Sequence, residues 1–366
     1  MCGFGYGIIA AVSNRQQQNT GTRPVRDAHR FDVARLEAYM SSHVQGFNGP
    51  LSVTQFKGGQ SNPTYRLETP SASYVLRRKP PGKLLKSAHA VDREFRVISA
   101  LYAADFPVPR PLVLCKDEQL IGTMFYIMEC VEGRIFWSPE LADVSREQRG
   151  AIYDNVNDTL ARLHSFDYAA LGLADFGKPG NYFERQISRW SGQYRASETA
   201  TVTAMDGLID WLPANIPADE SAAVVHGDFR LDNMVIHPTE PRVVAVLDWE
   251  LSTIGHPLAD FTYHLMVWQM PDIGIGSIGL HGHDLAELGI PDEEEYIARY
   301  CERTGRDSGI EDRAFYSAVN FFRLAAILQG IAGRVRDGTA ASAHAAQAVR
   351  AVQPLAELGW QHANGR

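Results

Sequence analysis

Apolar positions change their period twice along this chain. Residues Phe31 to Ser42 carry Phe31, Leu36, Tyr39 and Met40 at helical spacing. Short alternating runs follow at Leu51–Lys57, Thr64–Thr69 and Ser73–Arg78, bounded by Gly, Pro and Ser, and predict an antiparallel meander. Ala90–Ala103 returns to helical period, with Phe95, Ile98, Leu101 and Tyr102 on one face. Arg110–Cys115 and Thr123–Cys130 then predict two more strands. Beyond them the pattern is helical: Arg146–Phe166, Phe183–Tyr194, Thr201–Leu212, Ala259–Met270, Asp292–Arg303 and Ala314–Val335, interrupted by one β-pair at Met234–His237 and Val243–Leu247. Strands followed by helices predict an α+β fold with a small β-rich lobe and a larger helical lobe.

Composition narrows the function classes. The 366 residues are 45% hydrophobic and 21% charged, an ordinary globular balance. A net charge of −8 argues against general nucleic-acid binding. Within Leu51–Cys130, however, 11 Lys and Arg face 7 Asp and Glu, so this stretch is +4 and suits an anionic ligand. Four cysteines, with no C-x-x-C pair, predict neither a disulfide framework nor a zinc site and fit a reducing, cytoplasmic setting. No apolar run reaches the roughly 18–20 residues a spanning helix needs, so no membrane partner is expected. Met1–Val12 lacks a basic n-region, which disfavours a signal peptide, and residues 1–28 are expected to be a disordered or mis-assigned tail.

The densest chemistry lies in His226-Gly227-Asp228-Phe229-Arg230-Leu231-Asp232-Asn233, followed by Leu247-Asp248-Trp249-Glu250. A simple hairpin in which 238 pairs with 243 would set 236 opposite 245 and Asn233 beside Asp248. Asp228 sits one short loop earlier. Two carboxylates and an amide form a hard-oxygen set suited to Mg²⁺. Phosphoryl transfer needs such a set, together with a separate carboxylate that accepts the proton of the attacking hydroxyl.

H-G-D-x-x-x-x-N with a strand ending in D-W-E resembles the aminoglycoside phosphotransferase (choline kinase-like) family, whose fold is the two-lobed protein-kinase-like one. The resemblance runs from about Phe47 to about Val335. It implies a nucleotide-binding lobe at 29–129, a catalytic and acceptor-binding lobe at 130–366, Asp228 as catalytic base, Asn233 and Asp248 as metal ligands, and ATP as co-substrate. It also implies ATP contacts from the Gly58–Asn62 turn (Gly59, Ser61 and Asn62), from Val75 and Arg77 on the third strand, from Glu94 as the acidic partner of Arg77, and from the backbone at Glu129 and Val131. Arg77 stands where kinases carry lysine, so Lys79, on the same strand face, is a second candidate. Trp249-Glu250 departs from the Phe-Gly of protein kinases. Asp260, in the first turn of a helix opened by Pro257, would brace the catalytic loop with His226.

Two other patterns are decoys. Gly274–Gly279 matches G-x-G-x-x-G without a preceding strand. His256, Asp260 and His264 have metal-like spacing, but His256 precedes a proline and leaves the helical face.

Acceptors in this family include antibiotics, choline, sugars, homoserine and acyl-CoA derivatives. The segments Val75–Gly82, Asn181–Trp190 and Phe321–Gly330 resemble the kinase domain fused to acyl-CoA dehydrogenases and its stand-alone bacterial relatives. That resemblance implies a hydroxyacyl-CoA acceptor, phosphorylated at the 4-hydroxyl; Arg185 and Arg189, one turn apart, and Arg323, a single charge in an apolar helix, are then the candidates to contact CoA phosphates or the acyl carbonyl. The alternatives are an aminoglycoside or other small-alcohol kinase, and a silent nucleotide-binding pseudokinase.

Overall fold

A computed structural model describes residues 19–57, 62–80, 90–271, 279–338 and 343–365. They fall into two compact units. The first contains the chain up to Ser138 with Ala169–Leu173 and Arg230–Ser252; the second contains Pro139–Tyr168, Ala174–Phe229 and Thr253–Arg366.

The first unit is built on an antiparallel sheet. Its strands are β1 (Thr22–Arg23), β2 (Ser52–Phe56), β3 (Thr64–Glu68), β4 (Ser73–Arg78), β5 (Pro111–Cys115) and β6 (Phe125–Glu129), in the order β1-β2-β3-β4-β6-β5. Part of the tail expected to be disordered is thus paired: Thr22 lies opposite Phe56 and Arg23 opposite Gln55. The Ser13–Arg26 stretch reads as polar, but an edge strand needs backbone pairing rather than apolar side chains.

Alternation divides the sheet faces. Tyr65, Leu67, Tyr74, Leu76, Phe125 and Ile127 form one core with Leu36 and Met40 of the helix Val33–His43. Val75 and Arg77 project to the other face, where Tyr126 meets the helix Val91–Ala103 through Phe95, ring centroids 5.9 Å apart.

The hairpin of β8 (Met234–Ile236) and β9 (Val243–Val246) belongs to this first unit, although it lies far along the chain. Arg134 and Ile236 exchange both backbone hydrogen bonds, at 2.7 and 2.8 Å, and the Val246 N–H donates to the Pro107 carbonyl at 2.8 Å. Gly133 permits this approach, since a Cβ there would overlap the Ile236 carbonyl oxygen. The lobe boundary expected at 129/130 therefore does not describe the units, because pairing across the chain outweighs sequence order.

The hairpin register also differs from the simple one. Met234 lies opposite Val246 and Val235 opposite Ala245, but a shift then sets Ile236 opposite Val243. Pro238 has no N–H to extend the ladder, so His237 closes it, donating to the Arg242 carbonyl at 2.8 Å. The His237 ring then accepts from the Glu240 N–H at 3.1 Å.

The second unit is helical. Arg146–Ser165, Tyr182–Ser197, Thr203–Ala214, Pro257–Gln269, Glu293–Thr304, Arg313–Arg336 and Ala343–Ala363 are its longer helices, and the last was not expected. A short pair of β7 (Ala223–Val225) with β10 (Thr253–Gly255) was also unforeseen. Caps explain several boundaries: Ser145 accepts from the Gln148 N–H, Asp292 accepts from the Glu295 N–H, and Gly305 ends its helix with φ 68°. Stacking of Phe261 on Tyr300, 3.7 Å between centroids, locks two helices together. Arg313–Arg336 is, by length and composition alone, apolar enough to cross a bilayer, and 67% of its most apolar window is buried inside the protein. Among the described residues Cys115, Cys130 and Cys301 are free thiols.

Gly133→Ala should destabilise the first unit by about 1–3 kcal/mol, as overpacking does, and urea unfolding will measure it. An unchanged midpoint would show that the hairpin does not depend on this approach.

Candidate active site

Arg77 organises the first unit's chemistry. Its side chain is 8% exposed, and Nε lies 2.8 Å from Oε2 of Glu94. Nη2 bonds Oδ1 of Asp248 and lies 3.4 Å from Oε2 of Glu250. Glu94 also accepts from the Tyr126 hydroxyl at 3.1 Å and from Nδ2 of Asn62 at 2.9 Å. Asn62 is fully buried and reaches Glu250 as well, at 3.2 Å.

Burial opposes the charge on Arg77, but Glu94, Asp248 and Glu250 outweigh it and hold the guanidinium more firmly protonated. Burial pushes Glu94 up to about 7, with Arg77 pulling the other way. Arg77, not Lys79, therefore meets Glu94, as the sequence pairing expected. Glu250 was not anticipated as a member. Its signal was its place in the D-W-E motif, to which no role was assigned.

Asp248, two residues after β9, lies in the left-handed region, φ 66° and ψ 57°, a conformation that Asp tolerates better than most residues. The turn behind it is pinned by Trp249, whose Nε1–H donates to the Val246 carbonyl at 2.9 Å. Asn233 ends a 3₁₀ turn, and its carbonyl accepts from the Leu247 N–H at 2.8 Å. The observed register thus sets Asn233 opposite Leu247, one step from the expected position beside Asp248. The Asn233 amide and the Asp248 carboxylate, brought to one end of the hairpin by the Leu247 N–H to Asn233 carbonyl hydrogen bond, are hard oxygen ligands of the kind Mg²⁺ takes.

Other expected nucleotide contacts are placed as follows. Val75 is buried on the Arg77 face of β4. The Glu129 N–H donates to the Arg110 carbonyl at 3.0 Å and the Cys130 N–H to the Ser73 carbonyl at 3.3 Å, which holds the segment extended up to Val131. Gly59 and Ser61 lie outside the described residues, as does most of the Gly274–Gly279 pattern.

The second unit holds the loop of Asp228. Asp260, 2% exposed, accepts from the His226 N–H at 2.6 Å and the Gly227 N–H at 2.8 Å. Nε2 of His164 lies 3.5 Å from the same carboxylate. Burial alone would raise Asp260, but His164 and the His226 amide outweigh it and hold the carboxyl below its usual range. Gly227 takes φ 84°, the left-handed turn that points successive groups at Asp260. Asp228 is half-buried; its Oδ1 accepts from the Tyr263 hydroxyl at 2.7 Å, and its N–H donates to Nδ1 of His226 at 3.2 Å.

The three arginines singled out from sequence have different surroundings. Arg185 donates to the carbonyls of Gly180 and Lys178. Arg189 is exposed, 5.1 Å from the Trp190 ring centre. Nη2 of Arg323 donates to the Gly227 carbonyl at 2.7 Å.

The histidine decoy resolves into structural roles. His256 caps its helix in extended conformation, accepting from the Leu258 N–H at 3.2 Å. His264 sits between the Phe229 carbonyl and the Tyr296 hydroxyl. Among the described residues no cluster of three His, Cys, Asp or Glu could hold a metal.

Two outcomes follow. Asp260→Asn sets an amide donor against one of two buried N–H groups, and hydrogen bonds to charged groups are worth about 1.5–3 kcal/mol. Thermal melting should register that loss together with a fall in kcat. Burial also lowers His264 from its ordinary 6.5 to about 4. The folded form keeps His264 neutral while the unfolded chain takes up its proton below 6.5. Its stabilisation is therefore complete above pH 6.5 and is lost as pH falls towards 4. His264→Gln should flatten the unfolding free energy over that window, and an equally steep profile would contradict this.

Comparison with known proteins follows the same lines. Residues 52–316 match the phosphotransferase enzyme family known as APH. Acyl-CoA dehydrogenase family member 11 of Rattus norvegicus is 46% identical over 93% of this chain, and family member 10 of Mus musculus 45% over 93%. The chain spans 44% and 32% of those two relatives, less than half of either. A crystal structure from Ralstonia eutropha JMP134, described as an aminoglycoside phosphotransferase, is 53% identical, with TM-score 0.84 over 92% of this chain and 99% of its own. The aminoglycoside phosphotransferase APH(4)-Ia, solved with AMP-PNP and hygromycin B, shares the fold at 17% identity, with TM-score 0.57 over 90% of this chain and 99% of its own. The chain has the kinase-like aminoglycoside phosphotransferase fold, with an N-terminal antiparallel sheet and a helical C-terminal region, and it belongs to the APH phosphotransferase family of small-molecule phosphotransferases.

Proposed function

We propose that this phosphotransferase uses ATP and Mg²⁺ to phosphorylate a hydroxyl of an acyl-CoA, most specifically a 4-hydroxyacyl-CoA. The observation that carries the acceptor class is the 46% identity, across 93% of the chain, to proteins named acyl-CoA dehydrogenase family member 11. The antibiotic phosphotransferases solved with their drugs are 11–18% identical and support a shared fold alone.

The chemistry assigned to the residues is direct. The acceptor hydroxyl oxygen forms a bond to the γ-phosphorus, the bond from that phosphorus to the β,γ-bridging oxygen breaks, and ADP leaves. Asp228 accepts the hydroxyl proton, which raises the nucleophilicity of the oxygen as the bond forms. Arg77, braced by Glu94, presents a fixed cation to the nucleotide phosphates, and the backbone at Glu129 and Val131 receives the adenine edge. When bound by Asn233 and Asp248, Mg²⁺ neutralises phosphate oxygens. Asp260 orients the loop from behind and does not react.

Arg77 in the lysine position is the one feature that favours a silent pseudokinase. Its ion pair with Glu94 supports an active role instead, because the guanidinium remains a charged, oriented donor. Of the three arginines, Arg189 is the exposed one, and it is assigned to the CoA phosphates; Arg185 and Arg323 are proposed to act near the acceptor while anchored on backbone carbonyls.

Transfer of labelled γ-phosphate should be followed with 4-hydroxyacyl-CoAs, aminoglycosides, choline and sugars as acceptors. Transfer to a hydroxyacyl-CoA is expected, falling by at least ~10²–10⁴-fold in Asp228→Asn. Transfer to an aminoglycoside instead would overturn the acceptor, and a loss below tenfold would remove Asp228 as base. Arg189→Ala should raise KM for the CoA ester at unchanged KM for ATP; an unchanged KM for both would sink its assignment.

A further inference from the structure

Tyr263 lies on the helix Pro257–Gln269, three residues after Asp260, and so on the same side of that helix. Asp260 holds the amides of His226 and Gly227, while the Tyr263 hydroxyl donates to Oδ1 of Asp228 at 2.7 Å. One turn of one helix therefore grips three consecutive residues of the loop. Arg323, from the helix Arg313–Arg336, reaches the same place. Its Nη2 donates to the Gly227 carbonyl at 2.7 Å, and its guanidinium carbon lies 5.2 Å from the centre of the Tyr263 ring and 5.9 Å from that of Trp190. A single cation thus holds both the peptide that precedes Asp228 and the ring that donates to it.

We propose that Tyr263, held by Arg323, is a positioning residue for phosphoryl transfer, setting the rotation of the Asp228 carboxylate towards the acceptor hydroxyl. The proposal rests on the reading of Asp228 as the base. The physics is that of a fixed donor. A carboxylate on a single Cβ–Cγ bond rotates broadly, and one hydrogen bond from an oriented phenol narrows that rotation without consuming the proton-accepting capacity of the group. A donor to the ionised form also favours that form over the protonated one. Arg323 adds the orientation: its guanidinium lies over the face of the Tyr263 ring, where the ring quadrupole attracts it. Among the described residues, the charged and titratable groups around this arrangement include His226 on the loop itself, Asp260 and His264 on the helix of Tyr263, His164 on the helix Arg146–Ser165, Arg323 on the long helix, and Tyr182, Arg185 and Arg189 on the helix Tyr182–Ser197.

Tyr263→Phe removes the hydroxyl and keeps the ring. Three measurements on the full chain test it: transfer kinetics with Mg-ATP and a 4-hydroxyacyl-CoA, the pH profile of kcat, and a ¹³C NMR titration of the Asp228 carboxyl. That resonance is assigned by its disappearance in Asp228→Asn and needs no acceptor. The expected result is a fall in kcat of about tenfold or more with KM for Mg-ATP unchanged, and upward movement of both the acidic limb and the Asp228 midpoint. Arg323→Lys, which keeps the charge and loses the planar fork, should move both readings in the same direction. A Tyr263→Phe protein with wild-type kcat and an unmoved midpoint overturns the proposal. A lower melting temperature with no movement of the midpoint also overturns it, leaving a packing role. If Asp228→Asn itself keeps its rate, the base assignment fails and the positioning role falls with it. If that variant is inactive while Tyr263→Phe is unaffected, only the positioning role is lost.

Discussion

Asp260 is buried and ionised, and the second unit is arranged so that both can be true. A carboxylate removed from water must recover donors to replace its hydration, or it takes a proton. Here the donors are the amides of His226 and Gly227 and the ring of His164. His164 is itself held by the Tyr300 hydroxyl at 2.7 Å, and Tyr300 stacks on Phe261, the neighbour of Asp260 in sequence. Satisfying one charge thus fixes a loop, two helices and a buried aromatic layer, and Asp228 inherits a defined place at the end of that loop.

The first unit meets the same constraint with the signs reversed. Arg77 is a buried cation in the sheet, and Glu94, Asp248 and Glu250 come to it from a helix and from the turn after β9. Replacing Arg77 by a neutral residue would leave the buried Glu94 without its cation, the costly case for buried ion pairs. Three carboxylates thus surround one guanidinium, and the cluster carries more acidic than basic groups. Arginine rather than lysine suits this setting: its planar fork can meet Glu94 through Nε and Asp248 and Glu250 through Nη2 at the same time.

The relatives place these two arrangements in context. The chain matches less than half the length of the acyl-CoA dehydrogenase family members, so what the remainder of those proteins does belongs to them. The residues of both buried-charge clusters lie within the 52–316 span that matches the family. The solved relative at 53% identity covers nearly the same span.

Local order was legible from the residues alone. Period and punctuation placed the main strands and helices to within a few residues, because the apolar face and the cap are local properties. The spacing H-G-D-x-x-x-x-N and D-W-E identified the family, and the strand alternation selected Arg77 over its neighbour Arg78. What the sequence could not decide was pairing at a distance. The hairpin's shifted register follows from Pro238 and a bulge; its membership of the first unit follows from Arg134 and Pro107, more than a hundred residues away. Tyr126 and Tyr263 carry no motif of their own, and Glu250, though part of D-W-E, was given no role by it; all three acquire roles through what they touch. Arg323 stood out as one charge in an apolar helix, and the fold gave it a carbonyl and two rings as partners. The physical reason is the same throughout: propensity acts over one or two turns, whereas a buried charge is satisfied by whichever groups the folded chain brings within hydrogen-bonding reach.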